Sequence, residues 1–165
     1  MLFRSATGDV RTGPQPSTKP DPRELPFAKE ALAQVEKGGF PEALARIGAL
    51  LGQFAGPIPL NRLALTDEFV RSDKILSRIS EEDGRRMRSE AGVMVLLEPE
   101  RTLDALPKLL SNKEDRERAL TVLDWARGMD GITKEQRGMI DRIASLLREN
   151  AVKGKAEKAK KKAGK

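Results

Sequence analysis

The chain has 165 residues, 38% of them apolar and 4% aromatic, with 31 basic and 25 acidic side chains for a net charge of +6. That length suits one domain with a sizeable core. There is no cysteine, histidine or tyrosine, which excludes disulfides, thiolate metal sites, cysteine nucleophiles and every Ser-His or Cys-His catalytic arrangement.

Residues 1–22 hold Gly8, Gly13, Pro14, Pro16, Pro20 and Pro22 with few apolar groups. Such a segment buries too little surface to offset its ordering entropy and is expected to be a disordered arm. Met1 to Asp9 lacks the apolar stretch of a signal peptide, and the longest apolar run, Ala91 to Leu97, is too short to span a bilayer. A cytoplasmic protein is therefore expected.

A first helix is predicted from Pro26, with Phe27, Ala31, Leu32 and Val35, ending at Gly38-Gly39. Proline is tolerated in the first turn of a helix. Pro41 restarts a helix with Leu44, Ile47, Leu51 and Phe54 on one face, stopped by Gly56-Pro57-Ile58-Pro59. Leu60, Leu63, Leu65 and Phe69 mark the next helix, and Ile75, Leu76 and Ile79 a short one. Ser80 with Asp83 caps a longer helix through Met87, Ala91, Met94 and Leu97. Pro99 opens another with Leu103, Leu106, Leu109 and Leu110, in which Pro107 is expected to cause a kink or an early end. Asn112 with Asp115 then caps the helix that carries Ala119, Leu120, Leu123 and Ala126, with Trp125 expected in the core. Ile140, Ile143, Ala144 and Leu147 repeat the i, i+3, i+4, i+7 spacing of a last helix. About seven helices with short connections make the expected class all-α, a single bundle over residues 23–150.

The turn between the last two helices reads Gly128-Met129-Asp130-Gly131-Ile132-Thr133-Lys134-Glu135-Gln136. Gly131 suits a positive φ, and Thr133 with Gln136 suits a capping box. Asp130 and Glu135 are the candidate ligands of a divalent cation, Ca²⁺ or Mg²⁺ rather than zinc, because they offer only oxygen. The alternative is that Asp130 and Gly131 end one helix while Glu135 complements the dipole of the next. Glu98 and Glu100, either side of Pro99, pose the same choice between acid–base chemistry and dipole partners. Arg85, Arg86 and Arg88, set among Glu81, Glu82, Asp83 and Glu90, are read as a mixed solvated face.

The helix, Asp-Gly-Ile turn, helix pattern resembles the tellurite-resistance TerB domain, an all-helical domain of two related halves whose acidic turns are associated with metal. The resemblance implies a TerB-like bundle and a metal role for Asp130 and Glu135. The corresponding first turn here, Ala55-Gly56-Pro57, carries no acid.

Glu36-Lys37-Gly38-Gly39-Phe40, Glu42-Ala43-Leu44-Ala45-Arg46-Ile47, Glu98 to Pro107 and Asp115 to Leu120 resemble the C-terminal helical part of a bacterial family related to poly(3-hydroxyalkanoate) synthetases. Longer members of that family place an α/β-hydrolase-like domain ahead of this part. The chain has no Gly-x-Ser-x-Gly or Gly-x-Cys-x-Gly elbow. The resemblance therefore implies an accessory module without the enzyme, binding a protein or a polymer-granule component.

The net charge is concentrated at one end. Lys153, Lys155, Lys158, Lys160, Lys161, Lys162 and Lys165 face one acid, Glu157, and the rest of the chain holds 24 side chains of each sign. Residues 151–165 are expected to be a disordered Lys/Ala-rich tail. Its composition resembles the tails of histone-like proteins and of some granule-associated phasins. Flexible lysines contact phosphates without reading sequence, so DNA or RNA is the alternative partner, bound non-specifically. A solubilising end that binds nothing is the remaining reading.

Overall fold

The structure, a computed structural model, describes residues 19–54 and 68–163, with the backbone alone beyond Asn150. The helices are α1 (Pro26–Ala33), α2 (Phe40–Gly52), α3 (described over 68–72), α4 (Glu81–Leu97), α5 (Pro99–Leu109), α6 (Lys113–Arg127) and α7 (Lys134–Ala163). Among the described residues one 3₁₀ turn, Pro22–Glu24, precedes α1 and another, Leu76–Arg78, lies between α3 and α4. No strand occurs among the described residues, and the class is all-α. Of the expected arm over residues 1–22, residues 1–18 lie outside the described residues, as do the corner at Gly56-Pro57-Ile58-Pro59 and the positions Leu60, Leu63 and Leu65, while Pro22 opens a 3₁₀ turn capped by Asp21.

The helix starts follow local chemistry. Ser80 Oγ accepts from the Asp83 N–H at 3.0 Å, and Asn112 Oδ1 accepts from the Glu114 N–H at 2.7 Å. Ahead of α7, Thr133 Oγ1 accepts from the Gln136 N–H while the Thr133 N–H donates to Gln136 Oε1, both at 3.1 Å. These reciprocal bonds satisfy backbone groups that a helix start leaves without partners. Gly131 in the preceding turn has φ 75°, a conformation that an L side chain opposes. Gly38 has φ 113°, and a Cβ there would come within 2.8 Å of the Glu42 side chain. The turn into α2 therefore requires glycine.

Around α2 the other helices assemble. It packs on α4, α5, α6 and α7, while α1 packs on α4 and α6 on α7. Being touched from several sides gives α2 a wide buried face, made of Phe40, Ala43, Arg46, Ile47 and Leu50. The spacing predicts Leu44, Ile47, Leu51 and Phe54 instead. Of these Ile47 is buried, Leu44 and Leu51 are half-buried, and Phe54 is exposed. Leu50, Leu103, Leu106, Leu110, Leu123, Ile140, Ile143 and Leu147 are almost wholly buried. Each contributes about 1.5–3 kcal/mol relative to an exposed side chain.

Three boundaries differ from expectation. α1 ends at Ala33 rather than at Gly38-Gly39, and the chain turns through Gln34 to Lys37. Pro107 falls in the last turn of α5, which ends at Leu109, so its missing N–H removes only one bond near the helix end. The backbone of α7 is helical through Ala163, across a stretch expected to be a disordered tail. Alanine and lysine are good helix formers, and cations near a helix C-terminus complement its dipole.

Candidate interaction surface

The structure places Asp130 in the turn before α7 and Glu135 in its first turn, both exposed. Among the described residues no group of three or more Asp, Glu, His or Cys side chains is placed to hold a metal ion. Two carboxylates alone fall short of the six to eight oxygens a Ca²⁺ site uses.

Glu100 is engaged in an ion pair with Arg142 of α7, one of whose bonds is 3.0 Å, and that hydrogen bond and charge hold its carboxyl below the usual carboxylate range. Glu98 pairs with Arg101 at 2.9 Å. Both acids of that helix start are thus in ion pairs with arginines. Of the arginine run, Arg85 pairs with Glu81 and Arg86 with Asp83, all four side chains exposed, as a solvated face requires.

Trp125, expected in the core, is 39% exposed. Its ring stacks on Phe69 of α3 with centroids 5.6 Å apart and planes at 23°. Val70 and Ile75, which follow Phe69 in the chain, are 39% and 40% exposed. Two helical turns earlier on α6, Arg118 pairs with Asp73, and its guanidinium carbon lies 4.1 Å above the ring of buried Phe40. Residues 118 and 125 are seven apart and share a helix face, so α6 holds the segment from Phe69 to Asp73 by one aromatic contact and one ion pair. Asp73 also accepts the N–H groups of Ile75 and Leu76, each at 2.9 Å, which fixes the 3₁₀ turn. The apolar spacing of α6 put Trp125 on the core side, and the ring it stacks on there, Phe69, is itself half-buried.

The residues that sequence reasoning missed are buried polar ones. Arg46 is 2% exposed and donates to the carbonyls of Val35 at 2.6 Å and of Gln34 and Lys37 at 2.9 Å. It ties together carbonyls of the turn that follows α1, of which that of Gln34 also accepts the Lys37 N–H at 2.9 Å. Burial draws its pKa down, against the charges of Glu42 and Glu90. Beside it, Gln34, Lys37, Glu42, Met87 and Glu90 line a groove of about 470 Å³ between α1, α2 and α4. The only hint in the sequence was position: Arg46 falls one turn before Leu50 on the apolar face of α2.

Lys153, Lys155, Lys158, Lys160, Lys161 and Lys162 stand on the helical backbone of α7, and Lys165 lies outside the described residues. Among the described residues no helix is long and apolar enough to cross a membrane. No protein-family model, curated protein or solved structure matches the chain.

Proposed function

We propose that the chain is a non-catalytic helical interaction module that binds a protein or polymer-granule component through the α3–α6 face around Trp125. The observation that carries this reading is the exposure of the chain's single tryptophan, stacked on Phe69, with Val70 and Ile75 of the same connecting segment also exposed. Large aromatic side chains anchored on a rigid helix and open to solvent are the commonest energetic centres of protein interfaces. The residues that resemble the helical part of poly(3-hydroxyalkanoate) synthetase-related proteins support an accessory role of this kind, and the TerB-like arrangement belongs to the same proposal. The lack of histidine and cysteine supports a binding rather than a catalytic role.

The test is co-sedimentation with purified poly(3-hydroxybutyrate) granules, read also by Trp125 fluorescence. Binding that survives truncation after Asn150 and drops at least about tenfold in Trp125→Ala is expected, the loss of one interface centre. Sedimentation indifferent to Trp125→Ala overturns the assignment of this face.

One observation favours a second reading, a histone-like nucleic-acid-binding protein. The whole net charge of +6 lies between Lys153 and Lys165. Duplex binding by the full chain that disappears on truncation after Asn150 supports it, and equal, negligible binding by both chains overturns it.

A further inference from the structure

We infer that the lysine-bearing end of α7 is a helical arm whose binding to duplex phosphates is transmitted to the stability of the whole domain. The inference rests on the nucleic-acid reading and adds to it a ligand shape and a coupling.

The first observation is continuity. Ile140, Ile143, Ala144 and Leu147 are buried in the core, and the same helix runs without interruption to Ala163. At 1.5 Å per residue, the stretch from 151 to 163 is about 20 Å long. The second is composition. This stretch has lysines at 153, 155, 158, 160, 161 and 162 and a single acid, Glu157. Lys155 with Lys158, and Lys158 with Lys161 and Lys162, are like charges three or four apart, which oppose a helix, and Glu157 offsets this in part towards Lys153, Lys160 and Lys161. Alanines and the helix dipole favour the helix. The arm is thus balanced between helix and coil, and neutralising its charges tips the balance toward helix.

Duplex nucleic acid is the phosphate polyanion that fits best. Residues 151–165 contain no aromatic to stack on the bases of a single strand. A helix about 10–12 Å across matches the width of a major groove. Lysine supplies point charges that neutralise phosphates without choosing a sequence.

The coupling separates this inference from a flexible basic tail. A coil of lysines binds duplex equally well whether the domain is folded or unfolded, and so leaves the melting temperature where it was. An arm that binds as a helix continuous with α7 binds the folded protein better, and the melting temperature rises.

The experiment follows helicity at 222 nm and thermal unfolding of the full chain with a random-sequence DNA duplex. Comparison samples are inorganic polyphosphate at equal phosphate concentration, the chain ending at Asn150, and Gly154→Pro. The proline keeps every charge and interrupts the helix between core and lysines. Expected for the full chain are salt-sensitive binding that weakens about 10³-fold or more between 50 and 200 mM salt, a gain in helicity and a rise in melting temperature of about 5 °C near saturation. Gly154→Pro is expected to bind the duplex but to show no such rise. Failure of the full chain to bind duplex overturns the nucleic-acid reading itself. Binding with no rise, or an equal rise in Gly154→Pro, overturns the helical coupling. Polyphosphate giving as large an effect overturns the assignment to a duplex.

Discussion

Gln136 of α7 donates from its side-chain amide to the carbonyl of Leu51 in α2 at 3.1 Å, 85 residues away in sequence. The same side chain completes the capping box with Thr133, and the residue is 4% exposed. One amide thus starts the last helix and fastens it to the central one.

Replacing Gln136 should expose that double role. Gln136→Leu strands the Thr133 N–H and leaves the Leu51 carbonyl with the Phe54 N–H, and is expected to cost about 1–2 kcal/mol. Thr133→Ala removes only the cap and should cost about 1 kcal/mol. Gln136→Glu keeps the capping oxygen but sets a buried carboxylate against the Leu51 carbonyl, so it should cost at least as much as Gln136→Leu. Urea midpoints of the three variants check the order, and equal midpoints for Gln136→Leu and wild type would show that the bridge contributes nothing.

Arg46 offers a test of geometry against charge. Its fork reaches three carbonyls in the turn after α1. A lysine keeps the charge but cannot reproduce a planar fork. Arg46→Lys and Arg46→Met are therefore both expected to destabilise by at least about 2 kcal/mol, through unpaired buried carbonyls. A lysine variant as stable as wild type in denaturant titration would contradict this.

Asp73 gives the acid side of the stability profile a specific origin. Burial pushes its carboxyl up, but the Leu76 and Ile75 N–H groups and the hydrogen bond and charge of Arg118 outweigh that and hold it below the usual carboxylate range. A depressed folded pKa stabilises the protein above the unfolded value, about 3.9 for Asp. That contribution is lost as pH falls through the folded pKa. Asp73→Asn should lower stability at pH 7 and flatten the fall in melting temperature below about pH 4. A parallel profile for mutant and wild type would refute the assignment.

The Phe69–Trp125 stack can be read optically, since there is one tryptophan and no tyrosine. Phe69→Ala removes the ring that covers one face of the indole. Emission should shift to longer wavelength with a small loss of stability, about 1–2 kcal/mol. An unchanged spectrum would mean that the rings do not meet in solution.

What was legible in the chain was whatever depends on near neighbours. Ser80, Asn112 and Thr133 all cap the helices whose starts they mark, because a cap needs partners only two or three residues away. Ile140, Ile143, Ala144 and Leu147 are all buried, as a single apolar stripe predicts. Less legible was anything decided by a distant partner. The central place of α2, the burial of Arg46 and the exposure of Trp125 depend on which helices lie across from them, and apolar spacing carries no information on that. The Asp130–Glu135 proposal read a local turn correctly for its conformation, with Gly131 at φ 75°, while a ligand set would need oxygens from elsewhere.

The position of α7 against α2 also bears on how the protein is made. α2 leaves the ribosome early, with a broad apolar side that only later segments cover. Leu147, and the amide of Gln136 that ties α7 to Leu51, emerge long afterwards. α4 and α5 cover much of that side first, and the part that faces α7 closes only afterwards, a long-range event with a large loop to bring together. Chaperone dependence on stalled chains of increasing length should fall in two steps, once when α5 clears the exit tunnel and again when residue 147 does.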